Sequence, residues 1–139
     1  TPIGGSLTGS FEVSGCLSEG ETETPVAIDA TGDLGELGAV TLHVDETALC
    51  STPGLLDSIT AVTGTYTTSN GDELTFTGTG STIEFDMENN SASYSSDDEF
   101  TGGTGRFADA TGRIHVEASH SFDDLVLTLV LSGEVTTVG

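Results

Sequence analysis

Ile59 to Phe85 reads ITAVTGTYTTSNGDELTFTGTGSTIEF, and its middle, Ser69-Asn70-Gly71-Asp72, decides the fold class. Asn-Gly supplies the positive-φ positions of a tight hairpin turn, and here it separates two threonine-rich runs. Threonine, valine, tyrosine and phenylalanine suit a half-buried pleated surface. The pattern predicts strands over Ile59 to Ser69 and Glu73 to Phe85, folded back on each other.

The same reading extends outward. Ile3, Gly5, Leu7, Gly9, Phe11 and Val13 alternate with Gly4, Ser6, Thr8, Ser10 and Glu12, which gives a strand with one apolar or small face. Glu19 to Pro25 reads as an acidic loop and Val26 to Ile28 as a short edge strand. Leu37 to Leu49 is a long strand in which Val40, Leu42 and Val44 share one face, and Thr41, His43 and Asp45 the other. Ser51 to Asp57, with Pro53-Gly54, reads as a loop. After a turn at Asp86 to Asn90, Ser91 to Thr101 is a polar strand. Thr111 to Phe122 sets Ile114, Val116 and Ala118 against Arg113, His115 and Glu117. Asp123-Asp124 then turns the chain into Leu125 to Val135, apolar on both faces as far as Leu131. No window carries a helical stripe. The chain is expected to form one domain over residues 1–139, an all-β antiparallel up-and-down barrel of about eight strands, with a β-sandwich as the alternative.

Charge restricts the partners. The 139 residues hold 23 Asp and Glu against two arginines and no lysine, a formal net charge of −21. Such a surface repels DNA, RNA and anionic lipid, so nucleic-acid binding is excluded as a function. It suits a saline setting, where salt or bound cations relieve self-repulsion. No run approaches the length of apolar sequence that spans a membrane as a helix. The chain starts at Thr1 without Met, which reads as a mature end after signal-peptide removal and implies a secreted or cell-surface protein. Cys16 and Cys50 are the two cysteines. They lack metal-type spacing and are expected to form one disulfide in an oxidising compartment. A bridge there would stabilise the fold by about 3–4 kcal/mol. Asn89-Asn90-Ser91 is a short glycosylation sequon.

Both arginines fall in the glycine-rich stretch Phe100 to Arg113, FTGGTGRFADATGR. Gly102, Gly103, Gly105 and Gly112 suit a tight corner, where glycine adopts positive φ without steric cost. Arg106 is expected to cover that corner with its guanidinium against Asp109 or the Asp97 to Glu99 run, and Phe107 to plug a barrel end. Gly103-Thr104-Gly105 lacks the Gly-Lys-Ser/Thr ending and the following helix of a phosphate loop. Together with Gly32 to Leu42 (GDLGELGAVTL) and the Ser69 to Asp72 hairpin, this stretch resembles small secreted bacterial barrels of the allene oxide cyclase-like, lipocalin-like family. There a GGTGRF turn precedes the last barrel strands. The resemblance implies an eight-stranded antiparallel barrel. It carries over turn residues but no cyclase catalytic residues.

No catalytic signature is present: there is no nucleophile elbow, and the three histidines have no motif spacing. Acidic loops are the candidate Ca²⁺ ligands, Glu19, Glu21 and Glu23 with Asp97, Asp98 and Glu99, since calcium takes oxygen donors. No other cofactor is implied. Two functions fit. One is a non-catalytic extracellular structural or surface protein that self-associates into an oligomer or filament through its first and last strands, with Leu7, Phe11, Leu125, Leu127, Leu129 and Leu131 in the contact. The other is a small-molecule-binding barrel, or a cofactor-independent cyclase or isomerase. It would use His43, Tyr66, His115 and Glu117 as polar groups inside the cavity.

Overall fold

Alternation along each strand sets the architecture: apolar side chains point to one side of a single curved sheet, and the sheet closes around them. The computed structural model describes residues 2–13, 23–52, 55–86, 88–121 and 126–137. Its strands are β1 (Pro2–Val13), β2 (Glu23–Asp33), β3 (Ala39–Thr52), β4 (Leu55–Thr68), β5 (Glu73–Thr79), β6 (Glu84–Asp86), β7 (Ser91–Gly103), β8 (Thr111–Ser121) and β9 (Leu127–Thr136). Neighbours in sequence pair antiparallel, β1 pairs with β9, and β5 skips β6 to pair with β7. These last two pairings close an eight-stranded antiparallel barrel and leave β6 outside the ring. The closure rules out the sandwich alternative.

The hairpin at Ser69 to Asp72 forms, with Gly71 and not Asn70 at positive φ. Thr68 N–H donates to Asp72 C=O at 2.9 Å, and Gly71 N–H donates to Thr68 C=O at 2.9 Å. Gly71 sits at φ +90° with nothing within 4 Å of where a Cβ would be. Its requirement is therefore purely conformational. Gly71→Val is expected to cost about 1–2 kcal/mol, read as a lower urea midpoint with unchanged slope. An unchanged midpoint would show that the turn tolerates a side chain.

Three expectations need correction. Val26 to Ile28 is not a short edge strand. It lies within the eleven-residue β2, hydrogen-bonded to β1 on one side and β3 on the other. The loop expected over Ser51 to Asp57 is mostly strand, because β3 runs to Thr52 and β4 begins at Leu55, with register shifts near Ala48 and Cys50. The strand expected over Glu73 to Phe85 breaks after Thr79 and resumes as β6. At the break, Ile59 N–H donates to Ser81 C=O at 2.9 Å, and Ser58 bridges Thr82.

The core fills the ring. Leu7, Ile28, Leu42, Leu74, Phe76, Phe100, Ile114, Leu127 and Leu129 are all buried. Tyr66 packs between aromatics, with ring centroids 5.1 Å from Phe76 and 6.4 Å from Phe100. At one barrel end lie a 3-10 turn at Gly35–Leu37, the β4–β5 hairpin and the β7–β8 corner. That corner has Gly102, Gly103, Gly105 and Gly112 at positive φ. A Cβ on Gly103 would lie 1.9 Å from the Glu73 carbonyl oxygen, so only glycine lets these two backbones meet. Phe107, in a second 3-10 turn at Gly105–Phe107, is buried beneath the corner. Arg106 meets neither Asp109 nor the Asp97 to Glu99 run. Its Nε stands 3.6 Å from Asp72 Oδ2, and its guanidinium carbon 4.8 Å from the Phe107 ring centre.

Candidate functional site

The same alternation that buries Leu42 and Phe100 also buries two carboxylates. Glu46 is in phase with Val40, Leu42, Val44 and Ala48 on β3, and Asp98 with Phe100 on β7. Glu46 is 6% exposed and Asp98 3%. Around them stand Tyr94 and Ser96 from β7 and Tyr66 from β4. The Tyr94 hydroxyl donates to Glu46 Oε1 at 2.8 Å and lies 3.1 Å from Oε2. The Ser96 hydroxyl donates to Asp98 Oδ1 at 2.5 Å. Tyr66 is 0% exposed, and its hydroxyl is one of two buried side-chain polar atoms without a hydrogen-bond partner among the described residues. These groups, with the apolar wall, enclose a cavity of about 20 Å³. That is room for one water-sized guest.

Burial dominates the electrostatics here. It pushes the Glu46 carboxyl up to about 7, against the opposing Tyr94 hydrogen bond and with help from the nearby Asp98 charge. Burial also raises Asp98, partly offset by the Ser96 hydroxyl. Both tyrosine hydroxyls are pushed up in turn, first by burial and then by these carboxylates. The cluster is therefore a set of oxygen donors around one small space, with a carboxyl that gains or loses its proton near neutrality.

The outer face carries a different arrangement twice over. His43 Nδ1 lies 2.8 Å from Asp29 on β2, and its Nε2 lies 3.4 Å from Asp45. His115 Nδ1 lies 2.7 Å from Asp97 on β7, and its Nε2 lies 2.7 Å from Glu117. Each ring bridges two strands between two carboxylates, which favours a proton on both nitrogens. Both histidines are raised above their ordinary value, His43 first by the Asp29 hydrogen bond and His115 first by that of Glu117.

Several expected groupings do not form. His43, His115 and Glu117 lie on the outside of the barrel, so only Tyr66 of the expected cavity set faces inward. Their strands present the apolar alternate residues to the core, which forces these three outward. Asp97, Asp98 and Glu99 do not act together. Successive residues of a strand point to opposite faces, so Asp98 enters the core while Asp97 and Glu99 stay exposed. Glu23 is exposed at the start of β2, and Glu19 and Glu21 lie outside the described residues. Among the described residues no three His, Cys, Asp or Glu side chains gather as a metal-holding group. Leu7, Leu127, Leu129 and Leu131 are core residues, and Phe11 packs against the core with its ring 4.3 Å from His120. None of these offers an outer contact. Leu125 and Cys16 lie outside the described residues, so neither the Leu125 contact nor the disulfide to Cys50 enters the structural account.

Of the two buried carboxylates, Asp98 is among the candidate ligands but Glu46 is not, because a charged residue within a strand reads as solvated. Its signal was the phase: Glu46 and Asp98 fall on the apolar beat of their strands.

Described residues line two depressions on the outer surface. One, of about 320 Å³, opens where β5 breaks from β6 and is lined by Ser81, Ser95, Glu117 and Tyr94. Tyr94 thus faces both this groove and the interior cavity. The other, of about 630 Å³, runs over the outer face of β7, β8 and β9 and includes Arg113 and His115. Among the described residues no helix is long and apolar enough to cross a membrane. The outward positions of β2 and β3, such as Asp29, Thr31, Thr41, His43 and Asp45, are polar, unlike the apolar band a membrane barrel turns to lipid. No protein-family model matches the chain. No curated protein and no solved structure matches it significantly.

Proposed function

We propose that this chain is a non-catalytic extracellular structural or surface protein, built to persist in salt and stabilised by cations. One observation carries the reading: among the described residues the barrel interior is packed around a cavity of about 20 Å³, where drug-sized ligands occupy roughly 300–1,000 Å³. The −21 charge without lysine supports a saline setting. Placement outside the cell rests on the cysteine pair, Cys16 and Cys50. Kinship with the allene oxide cyclase-like barrels belongs to the same proposal, and the Gly102 to Phe107 corner leading into the last two strands supports it.

The partner in this reading is a second copy of the chain. β1 and β9 cannot supply the contact, since each has a strand on both sides. Among the described residues β6 offers an edge: it pairs with β7 on one side and carries Phe85 at 43% exposure. Unpaired strand edges recruit further strands. Glu84 and Asp86 flank Phe85, so like charges oppose the contact until salt screens them. The screening length falls from about 10 Å at 0.1 M salt to about 3 Å at 1 M. Light scattering is therefore expected to show monomers at low salt and larger species in concentrated NaCl, with Phe85→Lys monomeric throughout. Monomers of the native chain at every salt concentration would remove self-association from the proposal.

The second reading, a cofactor-independent cyclase or isomerase, draws on Glu46, whose carboxyl near 7 suits proton transfer. Space for one water leaves no seat for an organic substrate beside it. A small organic compound that raised the melting temperature stoichiometrically, and lost that effect in Glu46→Gln, would reverse the order of the two readings.

A further inference from the structure

We propose that the interior cluster is a binding site for one calcium-sized divalent cation, held by the carboxylates of Glu46 and Asp98 and the hydroxyls of Tyr66 and Tyr94. This deepens the reading of a cation-stabilised barrel and rests on it for the availability of the ion.

Four observations converge. The donors are all oxygens, two carboxylates and two phenols around one cavity, with the Ser96 hydroxyl in the same lining hydrogen-bonded to the Asp98 carboxylate. Hard cations take such donors, and calcium takes about six to eight of them. Four carboxylate oxygens and two hydroxyls supply six. Second, the Tyr66 hydroxyl is fully buried, lines this cavity and has no partner among the described residues. Its oxygen has lone pairs to offer a cation. Third, no Arg or His lies within ion-pair distance of Glu46 or Asp98 among the described residues. Ionising both carboxylates in a core requires compensation, and a doubly charged ion that displaced the Glu46 proton would match the pair. Fourth, the cavity of about 20 Å³ excludes organic ligands and admits a single ion. Magnesium usually keeps several bound waters, for which this space has no room. Tyr94 lines both the cavity and the groove at the β5–β6 break.

The chain provides its own reporter. It has two tyrosines and no tryptophan, and both tyrosines line the cavity. Terbium(III), an ion of calcium's size, luminesces when a tyrosine beside it is excited. The experiment uses the full chain after chelator treatment and gel filtration. Terbium is expected to give tyrosine-sensitised emission that saturates at one ion per chain and is displaced by CaCl₂ but not by MgCl₂. CaCl₂ is expected to raise the melting temperature beyond NaCl of equal ionic strength. Glu46→Gln and Asp98→Asn should abolish both effects, while Glu36→Gln, on the exposed 3-10 turn, should retain them. Tyr66→Phe keeps the ring against Phe76 and Phe100 and guards against misfolding of the charge variants. It should weaken calcium on the order of tenfold.

A calcium-dependent rise that survives in Glu46→Gln and Asp98→Asn would place the ion on the acidic surface and overturn the interior site, while leaving the cation-stabilised reading intact. Absence of any calcium effect beyond ionic strength would overturn the interior site and divalent stabilisation together.

Discussion

In chelator, the native chain is expected to lose stability as pH rises from about 4.5 to about 7, the reverse of the acid sensitivity of most acidic proteins. Glu46 drives this. Its carboxyl holds its proton up to about 7 in the barrel against an ordinary 4.5. Between those values the unfolded chain has released the proton and the native chain has not, so unfolding releases a proton and stability falls with rising pH. The full span amounts to about 3 kcal/mol. Asp98, also raised by burial, acts in the same direction. So do His43 and His115, whose stabilisation is complete below 6.5 and is lost as pH climbs through their raised folded values. Their side chains are 52% and 40% exposed, so their share is small. Asp86, held low by Asn89, opposes the trend but is fully exposed. Glu46→Gln keeps an acceptor for the Tyr94 hydroxyl and removes the ionisation. Urea unfolding at several pH values should show a much flatter profile for that variant and higher stability at pH 7. Equal slopes in the two proteins would assign the pH effect to overall charge repulsion.

Phe107→Ala is expected to cost about 3–5 kcal/mol, the range for emptying a buried phenylalanine site. Phe107 is 1% exposed and belongs to the core beneath the β7–β8 corner. The corner above it is backbone held by glycines at positive φ and has little freedom to collapse into the gap. Arg106, whose guanidinium rests over the ring, would lose its seat as well. The melting temperature should drop by roughly 10–20 °C. Phe107→Leu should recover most of that loss. If Phe107→Ala melted within a few degrees of the native chain, the corner would be a surface turn and the barrel end would be closed by Leu34 and Leu37 instead.

What was legible in the sequence was what alternates strongly. β1, β3 and β8 show their inward faces through Leu, Ile and Val, and the Asn-Gly hairpin and glycine-rich corner declare themselves by residues that few other structures demand. β2 was under-read because its inward residues, Thr24, Val26, Ile28 and Ala30, include two small or polar ones, and Pro25 and Asp29 interrupt it outside. The break between β5 and β6 was invisible because Gly80, Ser81 and Thr82 continue the composition of the strand around them. Half of the candidate site could be named but not assembled. Tyr66 was marked as a cavity residue and Asp98 as a ligand, yet Glu46 and Tyr94 were passed over. Periodicity places a residue on a face. It does not state which faces meet across a barrel, and closure is what brings β3, β4 and β7 to one point.

The seam between β1 and β9 governs how the molecule comes into being. Gly9 pairs with Leu127 and Pro2 with Glu134, so the ring has no closed form until its final strand arrives. Topologies that join distant segments fold slowly, typically over milliseconds to seconds. During that wait, seven ring strands present their inner apolar faces with no lid. Growing chains in that condition ordinarily clump. Here every waiting chain carries outward carboxylates on several of those strands, such as Asp29 on β2, Asp45 on β3, Asp97 on β7 and Glu117 on β8, and chains that repel one another are given time to find their own ends.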